Sequence, residues 1–270
     1  MSSPALTVAV CQFSPTASRS QNRARVAELT ADAARRGARL VVFPEYSSYF
    51  VDPMDATLAE NSESLDGEFV QALQATASAH DVTIIAGLVE SASEGAEQRV
   101  RNALVAVDAT GLRAVYRKQH LYDAFGQTES DWVEAGELGV PQTLEIDGLR
   151  VGMMTCYDLR FPEVARTLVD VGADVIVVPA EWVRGPLKEH HWTTLLAARA
   201  IENTVYLVAA DHPTPIGVGH SQIVDPQGVV AAGVGTGEGI AVAEITADAV
   251  ARVREVNPVL RLRRYRVTPR

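Results

Sequence analysis

One cysteine lies at a position where its thiol could act as a nucleophile. Cys156 follows the apolar residues 151–154, which predict a short strand, and precedes Pro162, which suits the first turn of an amphipathic helix. A thiol at such a strand-to-helix turn can be exposed on a rigid backbone, and the positive end of the following helix favours the nucleophilic thiolate. The alternative interpretation of Cys156 is a small, buried apolar residue at the end of a strand.

Three further polar residues are candidates for a functional site because of where they lie in the sequence. Glu45 comes directly after the apolar residues 40–43, and ligands bind at the carboxyl ends of parallel strands. Lys118 follows another predicted strand at 112–117, and Glu129 lies in an acidic loop. Taken singly, each of the three is also compatible with a solvated surface residue.

Considered together, Glu45, Lys118 and Cys156 supply the groups that acyl transfer requires. A thiolate attacks a carbonyl carbon, a carboxylate moves protons to and from the nucleophile and the leaving group, and a cation with a backbone N–H holds the oxyanion. A fold that brought these three side chains together would favour the nucleophile interpretation of Cys156.

The elements that must position these residues alternate between strand and helix. Periodicity predicts strands at 6–12, 40–43, 82–87, 102–108, 112–117, 142–146, 150–154, 175–179, 204–209, 219–224, 229–232 and 240–245, and helices at 21–36, 69–80, 162–171 and 192–202. No linker divides them, so we predict an α/β fold in a single domain over residues 1–270. Because strands outnumber helices, two mixed sheets packed face to face with helices outside would cover the sheet surfaces best.

The composition argues against several classes of protein. No apolar segment reaches the ~18 residues that a membrane span needs, and the N-terminus carries no secretory signal. Cys11 and Cys156 are the only cysteines, so we expect no disulfide framework and a reducing, cytoplasmic location. The net charge of −10 argues against a nucleic-acid binder.

Five segments, spread in order over nearly the full length, match the motifs of one known superfamily. They are Phe43-Pro44-Glu45, Tyr116-Arg117-Lys118-Gln119-His120-Leu121, Thr155-Cys156-Tyr157-Asp158-Leu159-Arg160-Phe161-Pro162-Glu163, Ala198-Arg199-Ala200-Ile201-Glu202-Asn203, and Gly219-His220-Ser221 followed by Val224-Asp225-Pro226. These segments resemble the carbon–nitrogen hydrolase (nitrilase-like) superfamily. The resemblance implies a four-layer α-β-β-α sandwich of two mixed β-sheets and a Glu-Lys-Cys triad.

The resemblance also implies a reaction without a cofactor, and a metal site is not expected because the sequence has neither His-Glu-x-x-His spacing nor a Cys/His cluster. It assigns Cys156 as nucleophile and Glu45 as general base and then general acid. Lys118 and the backbone N–H of Tyr157 would hold the oxyanion. Cys156 would add to an amide carbon, and hydrolysis of the resulting thioester would release a carboxylic acid after ammonia or an amine has left. From the charge of Lys118 we also expect a lowered pKa of the Cys156 thiol.

An additional glutamate of the superfamily maps onto Glu129. It would orient Lys118 or the incoming amide, although Glu134 and Glu137 lie in the same loop and are alternatives for this role.

The motif around Cys156 resembles the amidase branch that includes ω-amidase and deaminated-glutathione amidase, which act on small dicarboxylic-acid monoamides or related peptides. Residues 180–186 depart from that branch and are expected to line the pocket. The candidate substrate-binding residues are Tyr46, Tyr122, Glu181, Trp182 and Arg184. Arg184 would bind a substrate carboxylate or, alternatively, is a surface arginine.

Two alternatives to an amidase stay open. The same triad would serve a nitrilase or an N-carbamoyl amide hydrolase, which act on other small molecules. From a different class, the chain could be a catalytically silent binding subunit that keeps the fold.

The last twenty residues reverse the acidic balance with seven arginines and one glutamate. Apolar residues interleave the arginines, so we expect the arginines to pair with acidic surface of the same chain or of a partner subunit rather than with nucleic acid. The resemblance to the superfamily implies a homo-oligomer. Together with this pattern, it predicts that the C-terminal extension 251–270 lies at the interface of a homodimer or larger homo-oligomer.

Overall fold

The computed structural model describes residues 4–92, 99–139 and 141–270. Its strands are β1 (Ala5–Gln12), β2 (Leu40–Val42), β3 (Thr83–Ser91), β4 (Val100–Asp108), β5 (Gly111–Arg117), β6 (Val133–Glu134), β7 (Thr143–Ile146), β8 (Leu149–Met153), β9 (Val175–Pro179), β10 (Tyr206–Ala210), β11 (Gln222–Val224), β12 (Val230–Gly233) and β13 (Gly239–Thr246). Its α-helices are α1 (Arg19–Arg35), α2 (Thr57–Glu60), α3 (Glu68–His80), α4 (Pro162–Asp170), α5 (Lys188–Asn203), α6 (Ala247–Val256) and α7 (Val259–Leu262). Two 3-10 turns span Glu129–Asp131 and Cys156–Arg160.

The strands form two mixed sheets. The first has the order β13-β1-β2-β3-β4-β5, with β6 paired to β4, and the second has the order β12-β11-β10-β9-β8-β7. Each sheet has three adjacent parallel strands at its centre, β1-β2-β3 in the first and β8-β9-β10 in the second. The carboxyl ends of these central strands are the places where α/β proteins bind ligands.

Alternation along β1 divides the apolar core between the layers. Val8 and Val10 belong to the core that fills the space between the two sheets, whereas Ala9 and Cys11 belong to the core beneath α1 and α3. On the far side of the second sheet, α4 and α5 add Leu168 and other buried side chains to the core. The arrangement is therefore the predicted four-layer α-β-β-α sandwich.

Several boundaries of helices and strands differ from those predicted from the sequence. Helix α5 begins at Lys188 rather than at residue 192, and α6 was not expected. Strand β11 begins only at Gln222, because Gly219 and His220 have positive φ angles of 73° and 54°, which a strand does not accommodate. Within the described residues no helix is long and apolar enough to cross a membrane.

A close contact between backbones holds the segment after β2 in place. Gly87 of β3 donates its N–H to the carbonyl of Pro44 at 3.1 Å. A Cβ atom on Gly87 would lie 2.3 Å from the backbone nitrogen of Tyr46 and 2.7 Å from the carbonyl carbon of Glu45. Only glycine therefore allows the chain at Glu45 to approach β3 this closely.

We predict that Gly87→Ala lowers the free energy of unfolding by about 1–3 kcal/mol, because the added methyl group must displace backbone atoms. Urea denaturation measures this change. Gly235→Ala is the matched control, since a Cβ at Gly235 meets nothing within 4 Å. Equal losses in the two variants would contradict the steric explanation.

Candidate active site

Strand ends from both sheets meet at one cavity of about 250 Å³. Glu45 follows β2 of the first sheet, whereas Cys156 and Glu181 follow β8 and β9 of the second. Lys118 follows β5, and the four side chains line the same cavity. Tyr46, Tyr122 and Glu129 also line it. The fold thus brings together the three residues of the expected triad.

Lys118 lies buried between two carboxylates. Its Nζ donates to Oε1 of Glu45 at 2.9 Å and contacts Glu129 at 3.0 Å to Oε1 and 2.8 Å to Oε2. All three side chains are at most 5% exposed. Of the three acidic candidates, Glu129 is the one that contacts Lys118, whereas Glu134 pairs with Arg101.

Neutral donors complete this cluster. Asn102 donates its side-chain amide to Oε1 of Glu45 at 2.6 Å and to Oε1 of Glu129 at 3.1 Å. The hydroxyl of Tyr46 donates to Glu129 at 2.6 Å, and the backbone N–H of Tyr122 donates to the other Glu129 oxygen at 2.6 Å. Sequence reasoning missed Asn102, for which the available signal was a polar amide directly before the apolar residues 103–107 of β4.

The pKa values of the three ionisable groups in the cluster shift in different directions. Burial disfavours the ammonium of Lys118, but Glu129 and Glu45 outweigh it and hold the pKa of Lys118 well above its usual value. Burial also disfavours the carboxylate of Glu129, yet Lys118 and the hydrogen bonds keep the pKa of Glu129 below its usual value. For Glu45, burial dominates over the attraction of Lys118, and the pKa of Glu45 is raised. Lys118 therefore stays charged, and Glu45 takes up a proton more readily than Glu129.

A buried carboxylate shapes the turn that carries Cys156. Asp158 accepts hydrogen bonds from the Tyr116 hydroxyl at 2.6 Å, the His120 N–H at 3.1 Å and the Thr155 N–H at 3.2 Å. With these bonds the chain enters the 3-10 turn at Cys156, whose φ of 45° is rare for a residue with a side chain. The next helix, α4, begins only at Pro162, so Cys156 does not lie directly at its N-terminus.

The Cys156 thiol is 6% exposed and donates to the backbone carbonyl of Glu181 at 3.3 Å. The charge of Lys118 lowers the pKa of this thiol, as expected, but the net shift is upward. Burial raises the pKa of Cys156 well above its usual value and the charge of Glu45 adds to the rise, while Lys118 opposes both but does not outweigh them. Cys156 therefore keeps its proton in the resting site.

The peptide of Glu181 joins the two halves of the site. Its N–H donates to Oε2 of Glu45 at 2.7 Å, and its carbonyl accepts the thiol of Cys156. The following N–H, of Trp182, donates to the buried carboxyl of Asp211 at 2.7 Å. His212 donates Nε2–H to the carbonyl of Glu45 at 2.8 Å, and its pKa is lowered by burial to about 4, so its ring is neutral. Sequence reasoning missed Asp211 and His212.

A second, smaller cavity of about 10 Å³ adjoins the first at Cys156. Tyr122, Tyr157, Glu181 and Trp182 line it, and the rings of Tyr157 and Tyr122 meet edge to face at 5.1 Å. Lys188 and Arg160, which sequence reasoning did not assign to the pocket, line it as well.

Within residues 180–186, Glu181 and Trp182 line the cavities as expected, but Arg184 does not. It is exposed and lines a separate surface depression instead of either cavity beside Cys156. The reason is local, because the chain turns outward after Val183 and returns only at Lys188, where α5 begins. The alternative interpretation of Arg184, a surface arginine, is the one that the fold supports.

Comparison with known proteins gives the class. A family model described as carbon-nitrogen hydrolase matches residues 7–255, and the chain belongs to this family. It is 43% identical over 259 residues to deaminated glutathione amidase of Escherichia coli O157:H7, a match that covers 96% of this chain and 97% of that protein. The chain is thus a hydrolase of carbon–nitrogen bonds.

More distant relatives agree with this class. Deaminated glutathione amidase of Mus musculus is 34% identical over 273 residues, which cover 95% of this chain and 83% of that protein. Among solved structures, the C. elegans NitFhit protein superposes with a TM-score of 0.88 at 28% identity over 98% of this chain, which spans about two thirds (66%) of the NitFhit chain. The resemblance to the amidase branch is confirmed.

Removing the cation of the buried cluster should change the free energy of unfolding. Lys118→Met would leave Glu45 and Glu129 buried without their cation, and we predict a loss of about 3–5 kcal/mol in the free energy of unfolding at about pH 8. Without the ammonium, both carboxyls have folded-state pKa values above the unfolded value of about 4.3. The variant therefore loses stability as the pH rises through these folded-state pKa values. Its deficit relative to wild type is smaller at about pH 6 than at about pH 8.

Urea denaturation of this variant at both pH values measures the effect. The double variant Lys118→Met/Glu129→Gln is the control, because it removes one of the two unpaired charges and should recover part of the loss. A deficit that is independent of pH and unchanged in the double variant would show that packing, not charge, accounts for it.

Proposed function

We propose that this chain hydrolyses the amide bond of a small carboxamide through a thioester on Cys156, releasing ammonia or an amine and then a carboxylic acid. One observation carries the proposal. Glu45 and Cys156 bind the N–H and the carbonyl of the same residue, Glu181, and so share one cavity with the charged Lys118. A base, a nucleophile and a cation are the parts of acyl transfer.

The protonation states suggest the order of the steps. Because the Cys156 thiol is not ionised at rest, the Glu45 carboxylate takes its proton as sulfur attacks the amide carbon. Protonated Glu45 then gives this proton to the departing nitrogen, and the raised pKa of Glu45 favours its acid form. A water molecule, deprotonated by Glu45, finally hydrolyses the thioester.

Lys118 and the backbone N–H of Tyr157 act in this proposal on the oxyanion. Lys118 is preorganised for that task, since its contacts with Glu45 and Glu129 hold its charge without solvent. Glu129 positions Lys118 and, through Tyr46, one wall of the cavity. Tyr46, Tyr122, Glu181 and Trp182 are the proposed substrate-binding residues.

The relatives called deaminated glutathione amidase suggest the substrate class. We propose a small ω-amide or a deaminated-glutathione-like peptide as the substrate. The larger cavity would take the leaving amine, because it is about 250 Å³ in volume and open to residues 50–54 and 126–128. Release of ammonia or amine over a panel of ω-amides, deaminated glutathione, carbamoyl amino acids and nitriles tests this choice, and turnover of nitriles alone would overturn it.

We predict that Cys156→Ala lowers amide hydrolysis by more than about 10³-fold and abolishes the acyl adduct that intact-mass spectrometry detects on quenched wild-type enzyme. Cys11→Ala is the matched control and should keep full activity, because Cys11 is buried beneath α1 and α3, away from the cavity. An acyl adduct trapped on Cys156→Ala would refute the assignment of the nucleophile.

A thiol-reactive probe that labels Cys156 no faster than Cys11 would favour the silent binding subunit.

We further propose one cytoplasmic domain over residues 1–270 whose extension 251–270 contacts a second copy. Two of its arginines pair with acidic surface of the same chain, Arg254 with Asp174 at 3.0 Å and Arg263 with Asp170. Several apolar side chains of the extension stay outside the core, including Val256 at 87% and Tyr265 at 90% exposure. Such side chains are typical of a surface that a partner covers.

Truncation after Asn257 should therefore weaken self-association, which size-exclusion chromatography with light scattering measures. Leu112→Ser removes an exposed apolar side chain of β5 and serves as the control that should not change the mass. A truncated protein with the mass of the full chain would refute the proposed interface.

A further inference from the structure

The two carboxylate oxygens of Glu45 have different surroundings. Oε1 accepts hydrogen bonds from Nζ of Lys118 at 2.9 Å and from the side-chain amide of Asn102 at 2.6 Å. Oε2 accepts a hydrogen bond from the backbone N–H of Glu181 at 2.7 Å. Each carboxylate oxygen has two lone pairs. Among the described residues, both lone pairs of Oε1 therefore have a donor, whereas Oε2 keeps one lone pair for a proton.

The neighbouring carboxylate of Glu129 is occupied on both oxygens. Lys118 contacts Oε1 at 3.0 Å and Oε2 at 2.8 Å. The hydroxyl of Tyr46 also donates to Oε1 at 2.6 Å, and the backbone N–H of Tyr122 donates to Oε2 at 2.6 Å. Neither oxygen of Glu129 has room for a proton unless a donor leaves. A proton that enters this cluster therefore binds most easily at Oε2 of Glu45.

Asn102 joins the two carboxylates from β4. Its Nδ2 contacts Oε1 of Glu45 at 2.6 Å and Oε1 of Glu129 at 3.1 Å, and the residue is 1% exposed. Carboxylate oxygens only accept hydrogen bonds, so the amide must turn its N–H groups towards them. Its Oδ1 is then buried without a hydrogen-bond partner in the described part of the chain. An unpaired buried acceptor is costly, so the two bonds of Nδ2 call for a role.

Loss of the amide would open a second place for a proton on Glu45. Oε1 would then have a free lone pair beside Glu129, and the negative charge of Glu129 favours a proton there. A proton on Oε1 lies on the side of Lys118 and Glu129. Oε2 lies instead at the peptide of Glu181, whose carbonyl accepts the Cys156 thiol at 3.3 Å. Only a proton on Oε2 is therefore well placed to exchange with the sulfur.

We propose that Asn102 is a positioning residue, which keeps Oε1 of Glu45 occupied so that Oε2 is the oxygen that exchanges protons with Cys156 and with the leaving nitrogen. The thiol proton passes to Oε2 as the bond between sulfur and the amide carbon forms, and from Oε2 to nitrogen as the carbon–nitrogen bond breaks. Water then gives a proton to Oε2 as its oxygen attacks the thioester, and this proton returns to sulfur as the carbon–sulfur bond breaks. The inference rests on the proposed function.

Asn102→Leu tests this role, because leucine has a similar size and donates no hydrogen bond. Burial raises the pKa of Glu45, and the bond from Asn102 is one of the contacts that oppose this rise. Its loss should move the acidic limb of the kcat/KM profile to higher pH by about one unit. We expect kcat to fall on the order of 10- to 100-fold with little change in KM, because proton transfer is impaired and substrate binding is not.

Asn203→Leu is the matched control. Asn203 is also fully buried with an unpaired Oδ1, but it lines neither cavity beside Cys156. This variant should be less stable and should keep the wild-type pH profile. Asn102→Val is a second test variant, since a β-branched residue suits a strand and also donates nothing. It should show the same shift as Asn102→Leu.

A further measurement does not require turnover. The infrared band of the protonated Glu45 carboxyl, identified by its absence in Glu45→Gln, should titrate about one pH unit higher in Asn102→Leu than in wild type. If the wild-type enzyme hydrolyses no amide, the proposed function fails, while this titration still decides on Asn102. An unmoved acidic limb and an unmoved titration in the Asn102 variants, an equal shift in Asn203→Leu, or a loss confined to KM would overturn the positioning role.

Discussion

The ion cluster of Lys118 with Glu45 and Glu129 is the constraint on which the site depends. Two carboxylates and an ammonium are removed from water there, and such burial is tolerable only if every charge has close partners. Lys118 supplies the charge, and Asn102 and Tyr46 supply further donors. Because these residues come from β2, β4, β5 and the loop at Glu129, the cluster forms only when the first sheet is correctly paired.

Cys156 adds the second sheet to this requirement. Cys156 and Glu181 follow β8 and β9, and the Glu181 peptide touches Glu45 with its N–H and Cys156 with its carbonyl. The site therefore lies where the two sheets meet, and packing of the apolar core between them determines the distance between Glu45 and Cys156. Burial at this junction also explains why the Cys156 thiol is protonated at rest.

The same junction separates charge along the cavity. Glu45 and Glu129 surround Lys118 on one side of Cys156, and on the other side Arg160 and Lys188 lie among aromatic rings. Glu181 lines both cavities. Arg160 belongs to the turn that also carries Cys156, and the carbonyl of Leu159 in that turn accepts a hydrogen bond from Arg199 of α5 at 2.8 Å. One short segment thus links the sulfur of Cys156 to a wall of the smaller cavity.

The layers of the fold and three residues of the site could be predicted without the structure. Apolar runs predict central strands such as β9 (Val175–Pro179), because a strand that is covered on both faces of its sheet buries every side chain. Glu45, Lys118 and Cys156 were recognisable because each follows a strand within a short motif. The tertiary structure alone decided the contacts between distant segments, such as His212 on the carbonyl of Glu45, 167 residues away. It also decided that Arg184 is exposed while Lys188 is buried, and that burial outweighs Lys118 at the thiol of Cys156, because burial and electrostatic environment are sums over neighbours that only the folded chain brings together.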